Sequence, residues 1–226
     1  MLEIPAYYFR QPPVETSPAT IAGFERLYRE YVAPGGGLEI PYDLAAPRWQ
    51  FLCYVCNHKN ILLHGSAERN ITEFEPRQSN DVDEFGNRRA VYAASDGLWP
   101  MYFAIVDREK VSSLINACFQ VIGPDGVKSE PYYYFSITGE ALADNPWRDG
   151  MIYLLPGATF EPQPLQDIGG VPIEVAQWAS LVEVTPLAKL AVTPADFPFL
   201  KQVYGHDPAA TMEKVRANPQ GFPWHE

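Results

Sequence analysis

The chain of 226 residues carries 17 Lys and Arg against 28 Asp and Glu, a formal net charge of −11, with 46% apolar and 13% aromatic residues. That acidity argues against a general nucleic-acid or anionic-membrane binder, because phosphate surfaces attract cationic faces. The apolar share suits one domain with elaborations.

Met1-Leu2-Glu3-Ile4-Pro5 has no basic n-region and no apolar h-region, and no apolar run reaches membrane-spanning length. Three cysteines, an odd number, do not suit a disulfide framework. A cytoplasmic protein is expected, with no membrane partner.

In chain order, residues 1–16 are rich in proline and aromatic residues and read as extended. Ser17-Pro18 reads as an N-cap with proline at the first helical position, and Ile21, Phe24, Leu27, Tyr28 and Tyr31 follow at helical spacing. Pro34 and Gly35-Gly36-Gly37 end that helix, and a surface loop runs to Pro47. Residues 1–48 are thus expected to pack as a helical and extended segment on a domain spanning 49–226. Trp49–Cys56 fits a helix or a strand. Short strands are expected at Ile61–His64, Ile71–Phe74 and Ala90–Ala94, with a charged loop over 75–90. Asp96 can cap a helix carrying Trp99, Tyr102, Phe103 and Val106.

Ile115–Ile122, the turn Gly123-Pro124-Asp125-Gly126, and Pro131–Ile137 predict a hairpin. Met151–Leu155, Trp178–Val184 and Leu187–Val192 read as strands, 156–173 as a loop, and Asp196-Phe197-Pro198 as the start of a helical end region. Many strands with few helices imply an α+β fold of split, mainly antiparallel sheets with flanking helices.

The chemistry concentrates in two segments. In Ile61–Ser66 a buried strand delivers His64, Gly65 and Ser66 in succession. A histidine there can bond a hydroxyl, a glycine permits close backbone approach, and a serine can meet an amide or phosphate. In Ala90–Asp96 a tyrosine, Tyr92, stands at a strand end where it can stack on a flat heteroaromatic ring. Strand packing is the alternative for both segments. Arg69, Arg77, Arg88 and Arg89 could meet a pyrophosphate or form a solvated loop. Cys53-x-x-Cys56-x-His58 has metal-like spacing in an apolar setting, and buried thiols without a metal are expected there. Asp81, Asp83 and Glu84 lack the spacing of a calcium loop.

The succession of Leu63-His64-Gly65-Ser66, Ile71–Pro76, Val91-Tyr92-Ala93 with its helix, and Gln177-Trp178-Ala179-Ser180 before Val182–Pro186 resembles the ADP-ribosyltransferase superfamily. It is similar in particular to the His-Tyr-Glu branch of poly(ADP-ribose) polymerases and rifampin-modifying transferases, over roughly residues 60–193. The resemblance implies NAD as substrate. His64 would hold a ribose, the Gly65 backbone and Ser66 the nicotinamide amide, and Tyr92 would stack on the nicotinamide with Tyr102 as a second wall. The reaction would break the nicotinamide–ribose bond through an oxocarbenium-like transition state stabilised by a carboxylate.

At the third motif position this sequence has Gln177, which can orient a hydroxyl and supplies no charge. Glu174 and Glu183 are the neighbouring carboxylates. By strand alternation Glu183 would share a face with Gln177, at roughly 20 Å. The implied activity is an NAD-dependent ADP-ribosyltransferase or NAD glycohydrolase with an unidentified acceptor. The alternatives are an inactive NAD- or ADP-ribose-binding module and an RNA 2′-phosphotransferase-like enzyme. The strands at His64, Tyr92 and Trp178 are expected to line one cleft.

Overall fold

The computed structural model describes residues 4–15, 17–79, 81, 83–168, 170–219 and 221–225. The first three residues of the predicted N-terminal extension, and Thr16, lie outside them.

The N-terminal helix forms as its sequence dictates. The Ser17 hydroxyl accepts from the Thr20 amide at 3.2 Å, Pro18 takes the first helical position, and α1 (Pro18–Leu27) continues through a π-helical turn at Tyr28–Val32. Helix α2 (Arg48–Lys59) resolves the ambiguous Trp49–Cys56 run. It buries Trp49, Phe51, Leu52 and Val55, and Asn60 ends it in the left-handed region at φ 51°. Phe24 of α1 meets Phe51 and Tyr54 of α2, so the N-terminal segment shares the main core with the residues after 48.

The fold is α+β, with two mainly antiparallel sheets. The first, of eight strands, runs in the order β2 (Leu38–Glu39), β13 (Ala188–Val192), β8 (Gly150–Pro156), β3 (Ile61–Ser66), β5 (Arg89–Ala94), β12 (Gln177–Ser180) and β9 (Glu161–Pro162). Its remaining strand, β4 (Arg77–Gln78), also pairs with β5. The second, of six strands, runs β1 (Phe9–Arg10), β7 (Tyr132–Thr138), β6 (Leu114–Val121), β11 (Val171–Val175) and β10 (Gln166–Ile168), with β14 (Tyr204–His206) added beside β7. The predicted hairpin is β6–β7. Ile71–Phe74 contributes one bridge, Phe74 to Val184, instead of a strand. The expected loop over 156–173 contains β9, β10 and the start of β11. The C-terminal region holds β14 before a last helix, Pro208–Ala217.

Alternation assigns the first sheet two faces. Its inner face carries Leu63, Ala94, Ile152, Leu154 and Leu190 into the main core with α2 and α3 (Trp99–Ile105). Its outer face carries Leu62, Val91, Ala93, Tyr153 and Leu155 into a smaller cluster with Phe74 and Val184. Helix α3 presses directly on β3 and β8. A Cβ at Gly65 would overlap the Pro100 carbonyl oxygen, and one at Gly150 would overlap that of Ala104. Among the described residues no helix is long and apolar enough to cross a membrane.

Candidate functional site

The three motif segments occupy neighbouring strands. Leu63 pairs with Ala94, and Ala94 pairs with Gln177, so β3, β5 and β12 share a row of residues. On β3 and β5 this is the single register pair, while β3 pairs with β8 over its whole length. The sheet therefore splits between β3 and β5 beyond that row, and His64–Ser66 have no strand on the edge facing β5.

His64 bridges the split. Its Nδ1 lies 2.7 Å from the Tyr92 carbonyl oxygen. A carbonyl only accepts, so Nδ1 carries the hydrogen. The ring packs 4.7 Å from Phe74, and burial lowers its pKa below the ordinary value, which keeps it neutral. Nε2 has no partner among the described residues.

Register decides which predicted residues meet. Leu63 and Ala94 point inward, so Gly65, Tyr92, Gln177 and Ala179 share the inner face, whereas His64 and Ser66 point outward. The expected single cleft lined by the His64 and Tyr92 side chains is corrected on this ground. What joins them is the bond from the ring to the backbone. Ser66 accepts from the Glu68 amide at 3.0 Å and shapes its own turn.

Gly65 makes room for α3 on its inner side rather than for a ligand. Tyr102 is fully buried, with its hydroxyl donating to the Ser136 carbonyl at 2.9 Å. It is a core residue beneath the second sheet and cannot be a pocket wall. Glu174 belongs to the second sheet, where it faces Gln120 across the ladder and pairs with Lys128 at 2.7 Å. The strand after Gln177 stops at Ser180, so Glu183 does not continue its face. Glu183 instead lines an open cleft of about 460 Å³ with Glu75, Pro76, Arg89 and Leu181. A second cleft, of about 270 Å³, lies on the other sheet beside Tyr134, Tyr204 and Trp224.

The inner face around Tyr92 gathers polar residues that lie far apart in the sequence. The Tyr92 hydroxyl accepts from the Arg88 amide at 2.8 Å and lies 2.9 Å from the Phe85 carbonyl, pinning the 83–88 turn over the strand. Arg88 Nη1 pairs with Glu161 at 2.7 Å, and its guanidinium stacks 4.1 Å from the Phe85 ring centroid. Gln163 follows Glu161 by two residues and donates its backbone N–H to the Gln177 carbonyl at 2.9 Å. Its side-chain Nε2 donates to Asp83, which also accepts from the Phe85 and Gly86 amides and from Gln166. Asp83 is thus a brace between two loops. The sequence signal for Arg88 was its place near Tyr92. Gln163 gave none, because it sits in a proline-rich stretch without periodicity.

The cysteines are free thiols. Cys53 and Cys118 are buried, Cys56 is half-buried, and burial raises all three pKa values, the reverse of a reactive thiolate. Among the described residues no group of three or more His, Cys, Asp or Glu could hold a metal ion. Compared with models of known families, with curated proteins and with solved structures, the chain matches none.

Proposed function

We propose that this protein binds NAD on the inner face at Tyr92 and Gln177 and acts as an ADP-ribosyltransferase or NAD glycohydrolase, with the acceptor unidentified. The observation that carries the reading is the arrangement of the motif strands. Segments separated in sequence become the neighbours β3–β5–β12, with Leu63, Ala94 and Gln177 in one row and a split beginning at His64. In this reading His64 is a positioning residue that fixes the Tyr92 backbone from behind. Tyr92 offers an aromatic surface, and Gln177 orients a ribose hydroxyl.

A second reading is a nucleotide-binding module without turnover. Two placements favour it: Gln177 stands uncharged in the row, while Glu174 and Glu183 lie off its strand. An oxocarbenium-like transition state then lacks its electrostatic partner.

Incubation with NAD, with and without cell extract, separates the cases. Nicotinamide release without extract supports a glycohydrolase, and release that requires extract supports a transferase. Binding detected as a raised melting temperature with no release under either condition supports the module. No binding and no release overturns both readings.

A further inference from the structure

The outer face of the second sheet carries a serine–histidine pair built on three adjacent strands. Tyr204 and Ile115 flank Ser136 in register, and His206 pairs with Thr138 two residues further on. Ser113 stands opposite Thr138, whose amide donates to the Ser113 carbonyl at 3.2 Å. Alternation therefore places Ser113, Ser136 and His206 on one face. His206 Nδ1 lies 2.7 Å from the Ser136 hydroxyl oxygen, and Nε2 lies 3.0 Å from that of Ser113. The Ser136 hydroxyl also donates to the Tyr204 carbonyl at 3.2 Å, and a carbonyl only accepts. Its single hydrogen is engaged there, so it accepts from Nδ1–H. Nε2 then holds the lone pair and accepts from the Ser113 hydroxyl. That is the tautomer a general base needs, with nucleophile, base and orienting group each within hydrogen-bond reach. His206, only 7% exposed, lines the cleft of about 270 Å³ with Ile115, Tyr134, Tyr204 and Trp224, and Ser113 is half-buried beside its ring.

We propose that Ser113 and His206 form a nucleophile–base pair that cleaves small neutral esters held in this cleft, a site separate from the one proposed for NAD. Ser113 Oγ attacks the ester carbonyl carbon as its proton passes to Nε2. The same proton goes to the departing alcohol oxygen as the C–O bond breaks, leaving Ser113 acylated. Water then attacks the acyl carbon and gives a proton to Nε2. That proton returns to Ser113 Oγ as the acyl bond breaks and the carboxylic acid leaves. Aromatic and aliphatic side chains make up most of the lining, and the net charge of −11 disfavours an anionic substrate. Ser136 stands where a carboxylate orients the base in Ser–His–Asp enzymes, and it brings no charge to stabilise the imidazolium. It is a positioning residue, and turnover is expected to be slow after the first acylation.

A fluorophosphonate, which modifies serines activated by a base, and p-nitrophenyl acetate test the pair on the whole chain. The fluorophosphonate is expected to modify Ser113, located by peptide mass. The ester is expected to release p-nitrophenolate in a burst of about one equivalent per chain. Ser113→Ala, which removes a single hydroxyl, should abolish both. His206→Gln should slow both by at least about a hundredfold, the ordinary contribution of a general base. Ser136→Ala should lower kcat by about tenfold with KM unchanged, the effect of losing one well-made hydrogen bond to the ring. If His206→Gln does not fold, Ser113→Ala and Ser136→Ala carry the test. No modification of Ser113 means that the two hydroxyls and the ring only stitch the strands together, and overturns the proposal. Modification or ester cleavage that survives unchanged in Ser113→Ala, or in folded His206→Gln, overturns it as well. Lower stability with unchanged kcat in Ser136→Ala overturns the part given to Ser136.

Discussion

Two buried polar centres of this molecule differ in how completely the protein satisfies them. Asp96 sits where β5 meets α3, and its oxygens are fully engaged. Oδ1 accepts from the Leu98 and Trp99 amides at 2.8 and 2.7 Å, and Oδ2 accepts from the Tyr133 hydroxyl at 2.6 Å. The network joins the two sheets, and its partners are fixed by the chain itself. Gln163 is also buried and Arg88 half-buried, yet among the described residues Nε and Nη2 of Arg88 and Oε1 of Gln163 have no hydrogen-bond partner. A polar group closed off without a bond costs free energy, and a complete network returns it as rigidity. The first centre is completed by the chain itself, and the second is not.

The histidines repeat the contrast. His206 places Nδ1 2.7 Å from the Ser136 hydroxyl and Nε2 3.0 Å from that of Ser113. His64 has only Nδ1 engaged.

The largest effect is expected at the complete centre. Asp96→Ala strands two backbone amides and the Tyr133 hydroxyl, and should cost about 3–5 kcal/mol in chemical denaturation. Asp96→Asn, which keeps an acceptor and cannot titrate, should cost less. The comparison also has a pH signature. Burial raises the Asp96 pKa above its ordinary 3.8, so the folded state holds the proton more tightly than the unfolded chain. That contribution is complete below the unfolded value and is lost as pH rises through the folded one. The stability of the wild-type chain relative to Asp96→Asn should therefore fall as pH rises from 3.8. A difference that stays flat or grows shows that Asp96 is ionised throughout.

Gln177 tests the ligand side. If it stands where a carboxylate stabilises the cleaving bond, Gln177→Glu adds charge only to the transition state. Nicotinamide release should rise by about two to three orders of magnitude while NAD affinity changes little. Glu174→Gln should leave release unchanged, because Glu174 lies on the second sheet against Lys128. Loss of activity in Glu183→Gln would move the chemistry to the cleft with Glu75 and Arg89.

How much of this was legible in the sequence depends on the range of the signal. Ser17-Pro18 and Asp96 declare their helices through local capping chemistry, and Gly123–Gly126 declares its hairpin. Neighbouring placement of His64, Tyr92 and Gln177 could be expected from their order, but the face each presents could not. A single register pair, Leu63 with Ala94, sends His64 outward and Tyr92 inward, and a one-residue slip would exchange them. Tyr102 misled because aromatic spacing on a helix reads the same for a core wall as for a pocket wall. The polar cluster was invisible because Gln163 reaches Asp83 across 80 residues and Arg88 reaches Glu161 across the sheet.

A smaller effect is expected at the bridge. His64→Ala removes the donor to the Tyr92 carbonyl and should cost about 1–3 kcal/mol. His64→Gln should recover part of this by offering an amide donor. Burial lowers the folded pKa of His64 below its ordinary 6.5, so its contribution is present above the unfolded value and is lost as pH falls. Stability of the wild-type chain relative to His64→Gln should decline below pH 6.5. The same folded variants should bind NAD more weakly if the bridge positions Tyr92, and equally well if it serves stability alone.

The smallest effect, and the sharpest contrast with Asp96, is expected at Gln163. Gln163→Leu deletes the unpartnered oxygen and one bond to Asp83, which retains the Phe85, Gly86 and Gln166 donors. Losing the bond should destabilise by about 1 kcal/mol, while removing a buried unsatisfied acceptor returns a similar amount. Without ligand, the midpoint of denaturation should therefore barely move, and an increase is consistent with the same argument. A loss as large as that of Asp96→Ala would mean that Oε1 is satisfied in the free protein and that the two centres are alike.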